Sequence, residues 1–206
     1  MKKRTRRTQE RTEITRAKLL EAGTTIFSEK GFDGVSVRDI ENTAEVQRGL
    51  LAYHFNDKEN MWKAVVDATF GNMKTEFDQR FEILHDLSKS ERVSFIVRFH
   101  VRFHAKHPEL SRLMSQEATH DSWRIRYLID HHIRPASNAM ARLVKEAKGI
   151  EGTDFVNWYY IMVSASSTIF SFAPECQLLF DVDCHQESIV EAHADMLVAM
   201  LLGADK

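Results

Sequence analysis

Residues 15–59 read TRAKLLEAGTTIFSEKGFDGVSVRDIENTAEVQRGLLAYHFNDKE, and the stop and start signals in this stretch constrain the chain more than any other feature. A helix is expected over 13–30: Ile14, Ala17, Leu20, Ile26 and Phe27 recur at helical spacing, and Gly31 stops it. Phe32 then plugs back into a small core. Ser36, with Asp39 three residues on, has the form of an N-cap with its capping-box partner. It opens a short helix over 37–43 with Val37, Ile40 and Ala44 inward. Glu45, Val46 and Gln47 form a turn, and a second short helix follows over 48–54 with Leu50 and Phe55 inward. Two helices joined by so short a turn cross steeply. Ala44 supplies the small residue where they approach, and Val46 the apolar plug beneath the turn. Gln47, Arg48, Gly49, Leu51, Ala52, Tyr53 and His54 are left to face a groove, which is the helix-turn-helix pattern of a DNA reader.

The charge distribution points the same way. Residues 1–18 hold eight Lys/Arg (Lys2, Lys3, Arg4, Arg6, Arg7, Arg11, Arg16, Lys18) against Glu10 and Glu13, while the remaining residues hold 20 bases and 28 acids. A net charge of −2 argues by itself against a nucleic-acid partner. Its distribution does not, because a basic end can dock on phosphates while an acidic remainder keeps the protein soluble. Residues 1–10 are expected to be a disordered basic arm, 11–56 the helix-turn-helix domain, and 57–206 a second, helical domain, to which the resemblance described below assigns effector binding and dimerisation.

Three prolines and eight glycines in 206 residues favour long helices, and strand-like alternation is absent. The fold class expected is therefore all-α, with about nine helices. Asp57 caps a helix over 58–84. Ser88 or Ser90 caps a fifth helix, and His107–Pro108 opens a sixth, proline being tolerated in a first turn. Asp121 or Ser122 starts a seventh that reaches Gly149, with Pro135 kinking or breaking it. Asp154 caps an eighth that ends before Pro174, and a ninth covers 186–202. The most apolar stretch, 155–173, is interrupted by Asn157, four serines and Thr168, too polar for a membrane span. The N-terminus lacks the apolar segment of a signal peptide. Cys176 and Cys184 read as free thiols. His100 and His104 share a helix face, His107 follows, and His131–His132 and Cys184–His185 add donors, but none forms a recognised metal-ligand set. No metal and no cofactor is expected. Without a glycine-rich phosphate loop, a GxSxG elbow or a prominent carboxylate pair, neither is an enzyme.

Through LLEAG…IFSEKGF at 19–32, SVRDIENTAEV at 36–46 and RGLLAYHFNDKENMWKAV at 48–65, the chain resembles the N-terminal domain of the TetR family of bacterial transcription regulators. HPELSRLMSQEA at 107–118, FSFAPE at 170–175 and EAHADMLVAMLLG at 191–203 are similar to segments of these regulators, though less specifically. The resemblance implies a homodimer with a helix-turn-helix in each subunit and an effector pocket in a variable C-terminal domain. The expected function is a sequence-specific repressor, released from a palindromic double-stranded DNA operator by an unknown small-molecule effector. It would be cytoplasmic, without a membrane partner, and nucleoid-associated when bound. The alternative is a helical adaptor, or a metal-responsive regulator without an organic ligand. Two positions depart from the family: Glu45 stands where glycine is usual in the turn, and Gln47 where serine or threonine opens the recognition helix. Glutamate reaches left-handed backbone angles less readily than glycine. Gln47 is open between a weaker cap and a reader of adenine.

On DNA, Arg48 is the first candidate for base contact, since arginine matches the two acceptors of guanine, with a phosphate contact as its alternative. Gly49 lets the helix approach closely, and Leu51 or Ala52 meets a thymine methyl. By resemblance, Tyr53, His54 and Lys58 clamp phosphates. Ser36 and Arg38 touch the backbone of the opposite strand. The effector pocket is expected among Phe99, His100, Phe103, Met114, Trp123, Tyr127, Tyr159, Met162 and Phe170, with Asn138 and Tyr160 as further polar candidates. The last two helices are expected to pair with their copies through Ser164, Ser167, Ile189, His193, Met196, Leu197 and Met200.

Overall fold

The computed structural model describes residues 2–81 and 86–203, with the side chains of 2–8 left aside. Among the described residues every regular element is helical: α1 Lys2–Lys30, α2 Val37–Thr43, α3 Leu50–Phe55, α4 Lys58–Phe81, α5 Lys89–Lys106, α6 Pro108–Glu117, α7 Trp123–Leu128, α8 Arg134–Lys148, α9 Gly152–Ser171, α10 Ala173–Phe180 and α11 Glu187–Leu202. None is long and apolar enough to cross a membrane. The all-α expectation holds.

Local signals place most helix ends. Ser36 and Asp39 form a reciprocal capping box at α2, and Ser88 and Glu91 form another at α5. Ser122 caps α7 through the Ile125 N–H, and Gly149 ends α8 in the left-handed conformation. Not every boundary follows the expectation, and others are refined. Residues 2–10 are helical where a disordered arm is expected, because nothing before Gly23 breaks the helix and Lys, Arg, Gln and Glu are all good helix formers. The C-terminal end expected for α4, at Leu84, lies outside the described residues. The break near Pro135 is a π-helical turn, Ile129–Ile133, in which the Arg134 N–H reaches back to Ile129 O. Widening the helix just before the proline accommodates its ring and its missing N–H. Finally, Pro174 sits in the first turn of an extra helix, α10, instead of ending the chain's helical run.

The chain divides into two compact units, Met1–Asn72 with Arg112–Thr119, and Met73–Ser111 with His120–Lys206. In the first, Leu19, Ala22, Ile26 and Phe27 of α1, Ile40 of α2, Leu51 and Phe55 of α3, and Met61, Trp62 and Val65 of α4 are buried. The inward face of α1 is thus turned from the expected one: Leu19 is buried, whereas Ile14 is 54% exposed. Gly23 lets α4 lie close, since a Cβ there would stand 2.6 Å from Met61 Cε and 2.9 Å from Val65 Cγ2.

In the second unit, α5 packs against α8, α9 and α11. Val93, Ile96, Val97 and Val101 meet Met140, Val144, Trp158, Met162, Phe170, Ala194 and Leu197. At the rim, Arg102 forms a two-pronged pair with Glu191 (2.7 and 2.6 Å), joining α5 to α11. Phe77, Phe95, Phe99 and Phe103 form an aromatic row with centroids 5.2–6.2 Å apart.

This packing revises several expectations. Ser167 and Leu197 are buried in their own unit, so they do not face a partner. The Ser167 hydroxyl is held by Val163 O. Met162 and Phe170 belong to the packed core, and Phe99 and Phe103 are equally buried. Asn138 and Tyr160 point outward. Met114 falls in the other unit from the remaining pocket candidates. Trp123, Tyr127 and Tyr159 are half-buried, Tyr127 lying 4.3 Å from His131. Among the described residues no three His, Cys, Asp or Glu gather as metal ligands. His100 bonds to Ile96 O (2.9 Å) and His107 to Glu109 (3.1 Å).

His104 is buried, and its Nδ1 lies 2.8 Å from Ser111 Oγ. Burial, reinforced by His100 and His107, pushes its pKa down to about 3. The unfolded chain therefore binds the extra proton first as pH falls below about 6.5. His104 should cost the fold about 2 kcal/mol between pH 7 and pH 5. Urea unfolding at the two pH values should show this loss, and His104→Gln should lose correspondingly less.

Candidate nucleic-acid interface

The connection between α2 and α3 is held by one residue from both sides. Glu45 N–H reaches Asn42 O (3.1 Å) and Val46 N–H reaches Glu41 O (3.1 Å), the paired bonds that close a helix on a left-handed residue. That residue is Glu45, at φ 53°. The strain suspected from its identity is therefore present in the backbone. A non-glycine residue there costs about 1–2 kcal/mol of intrinsic preference. The Glu41 side chain then turns to the next helix. Its Oε1 accepts from Gly49 N (2.8 Å) and Leu51 N (3.0 Å) while the residue is only 4% exposed. These N–H groups open α3, where unpartnered donors and the helix dipole favour a negative charge. Glu41 did not figure among the expected site residues. The signal for it was an acid beside Ile40 and Ala44 on an otherwise apolar face.

Because Gly49 is the left-handed N-cap (φ 90°), α3 starts at Leu50, two residues later than expected. A Cβ on Gly49 would meet nothing within 4 Å, so the structural need for glycine there is conformational. The later start also rotates α3. Leu51 is fully buried and Leu50 only half-buried, the reverse of the expectation, so Leu51 is removed from the groove-facing set. Ser36, Arg38, Gln47, Arg48, Gly49 and Ala52 are exposed, and Tyr53 is 73% exposed. Gln47 and Arg48 precede the helix instead of lying in its first turn. His54 is half-buried, edge-on to Tyr53 at 5.0 Å. Burial, then the charge of Arg16, lowers its pKa, so it stands neutral at neutral pH.

Lys58 has partners within its own unit. Its ammonium donates to Phe32 O (3.0 Å) and Val35 O (2.9 Å) and lies 4.1 Å from the Phe32 ring centre. It ties the α1–α2 connection to the start of α4, where Asp57 caps through the Asn60 N–H (2.7 Å). A lysine held this way fixes the α1–α2 connection against α4. At the far end of α1, Gln116 Nε2 of α6 donates to Ser28 O (2.9 Å).

Two family models match the chain: "Bacterial regulatory proteins, tetR family" over residues 19–65 and "Tetracyclin repressor-like, C-terminal domain" over residues 90–201. A probable helix-turn-helix transcriptional regulator of Bacillus subtilis, YttP, is 23% identical over 134 residues, covering 65% of each chain. The transcriptional repressor AcnR of Corynebacterium diphtheriae is 40% identical over 52 residues, 25% of this chain and 27% of that one. The chain thus spans less than two thirds of the length of either relative. Among solved structures, the regulator FadR of Bacillus subtilis in complex with stearoyl-CoA aligns with a TM-score of 0.62 at 15% identity, covering 92% of this chain and 99% of that one. At that identity the likeness is one of fold.

The turn geometry makes opposite predictions for two acids four residues apart. Glu41→Ala leaves the buried Leu51 N–H and the part-buried Gly49 N–H without their acceptor and should destabilise the protein by about 1–3 kcal/mol, with Glu41→Gln losing less. Glu45→Gly relieves the left-handed backbone and should stabilise it by about 0.5–1 kcal/mol. Chemical denaturation of the three variants checks both signs.

Proposed function

Because the chain belongs to the tetR family of bacterial regulatory proteins, we propose that it is a homodimeric, sequence-specific DNA-binding transcriptional regulator: a repressor that a small-molecule effector releases from a palindromic operator. The observation that carries this reading is the α2–turn–α3 unit. Its inner side is fixed by Glu41, Leu51 and Phe55, and its outer side presents Gln47, Arg48, Ala52 and Tyr53 together. In this reading Arg48 reads a base and Ser36, Arg38, Tyr53 and neutral His54 contact the phosphate backbone, with Gly49 and Ala52 leaving room for the duplex; the exposure of Ser36, Arg38, Arg48 and Tyr53 supports it. The basic residues of α1 add to the attraction. As a transcription regulator it works in the cytoplasm, on the nucleoid when bound.

Two half-sites one helical turn apart, about 34–36 Å, require two copies of α3. The surface that supports a second copy lies on α9 and α11, where Val156, Tyr160, Ile161, Met196 and Met200 are exposed. Ser164 is also exposed, while Ile189 and His193 are half-buried. For the effector, the aromatic row of α5 favours a molecule with an apolar body, in the region of Phe99, His100, Phe103, Trp123, Tyr127 and Tyr159. The stearoyl-CoA bound by the FadR regulator of similar fold is an example of such chemistry. Release requires the effector to bind one arrangement of the dimer more tightly than the other.

Selecting bound DNA from a random pool and then titrating salt tests this reading. A palindromic consensus and an affinity that falls steeply with salt are expected. Arg48→Ala should flatten the ranking of operator variants by about 1–3 kcal/mol at one position, whereas Tyr53→Ala should weaken all sequences alike. A pool with no enriched sequence would overturn the proposal.

A further inference from the structure

In the sequence Gln47 stands open between a helix cap and a reader of adenine. The start of α3 leaves no capping role for it. As N-cap, its side chain would accept from the N–H two or three residues on, that of Gly49 or Leu50. Both donors are already engaged. Gly49 N–H goes to Glu41 Oε1 at 2.8 Å, and Leu50 N–H to the backbone carbonyl of Gln47 itself at 3.3 Å. The next donor, Leu51 N–H, also goes to Glu41, at 3.0 Å. The N-cap position falls instead on Gly49, two residues later, which has no side chain to offer. Gln47, Arg48 and Gly49 are all exposed.

From this arrangement we infer that Gln47 is a specificity-determining residue: with the capping done by Glu41, its carboxamide reads an adenine in the major groove of the operator. The inference rests on the DNA-binding reading proposed above and goes beyond it by naming a base pair. A primary amide carries an acceptor oxygen and a donor NH2 side by side. In the major groove adenine presents the complement, N7 as acceptor and the N6 amino group as donor, a pattern no other base shares. The amide nitrogen donates to N7, and the amide oxygen accepts from N6. A phosphate would use only the donor half, and an uncharged amide releases no counterion from it.

Position in the chain favours a base edge as well. Residues at the N-terminal end of a recognition helix are the ones that reach base edges, and Gln47 and Arg48 lie just ahead of α3. Consecutive Cα atoms are about 3.8 Å apart and successive bases of one strand about 3.4 Å, so two neighbouring residues suit two neighbouring pairs. Each half-site is therefore expected to hold an A·T pair beside the G·C pair proposed for Arg48.

The test uses the full-length protein and the operator selected from the random pool, with all four base pairs placed in turn at each half-site position. The wild type should prefer A·T at one position by about 5- to 150-fold, the discrimination of one bidentate pair. Gln47→Ala should lose that preference and keep the ranking at every other position. Replacing the adenine with 7-deazaadenine, which lacks the N7 acceptor, should weaken the wild type about fivefold and leave Gln47→Ala unaffected. Because Glu41 does the capping, the urea midpoint of Gln47→Ala should match that of the wild type. A Gln47→Ala protein that still ranks the four pairs as the wild type does overturns the inference and leaves the DNA-binding reading standing. Weaker binding to every operator would then mark a lost phosphate contact, and a lower urea midpoint a lost cap. A pool with no enriched sequence removes both readings.

Discussion

The carboxylate of Glu41 organises the surface on which the proposed function rests. Its backbone carbonyl receives the Val46 N–H that closes α2, and its side chain receives the Gly49 and Leu51 N–H groups that open α3. One residue thereby sets both sides of the turn. A buried acid is costly unless hydrogen-bonded, and here the donors are two backbone groups that would otherwise be unpartnered at a helix start. The arrangement explains why Leu51 faces the core. Its amide is drawn to Glu41, and that leaves Ala52 and Tyr53 on the outside. It also explains how a turn with glutamate at a left-handed position persists, since both flanking helices hold it in place.

Legibility in the sequence followed interaction range. The boxes Ser36–Asp39 and Ser88–Glu91, the cap at Ser122, the proline opening α6 and the stop at Gly149 were all readable, because each depends on residues within four positions. The helix-turn-helix was readable for the same reason. What could not be read were pairings across the fold. Lys58 looks like an exposed cation at a helix start until Phe32 O and Val35 O, more than twenty residues earlier, are placed around it. Leu50 and Leu51 have the same chemistry, and only Glu41 decides which turns inward. In the second unit, α9 and α11 are apolar on more than one side, so periodicity could not separate Leu197, which meets its own core, from Met196, which does not.

The histidines illustrate the same distinction. Spacing alone put His100, His104 and His107 within reach of one metal ion. In the fold each has a partner on its own helix or the next: Ile96 O, Ser111 Oγ and Glu109. Among the described residues no three His, Cys, Asp or Glu gather as they would around a metal ion. The aromatic row beside them is equally committed to packing, so an effector of the proposed kind would have to open the interior of this unit.

That requirement bears on how a signal would travel. α6 carries Ser111, bonded to His104 in the second unit, and Gln116, bonded to Ser28 in the first, five residues apart on one helix. A single neutral hydrogen bond is worth only about 1 kcal/mol net, whereas moving a two-state equilibrium from 1:99 to 99:1 takes about 5.5 kcal/mol. Breaking the Ser111–His104 bond therefore cannot by itself throw the switch. If the proposed effector acts through α6, it would also have to gain apolar burial in one state that it lacks in the other, and the aromatic row of α5, on the same helix as His104, is where a difference of several kcal/mol could arise.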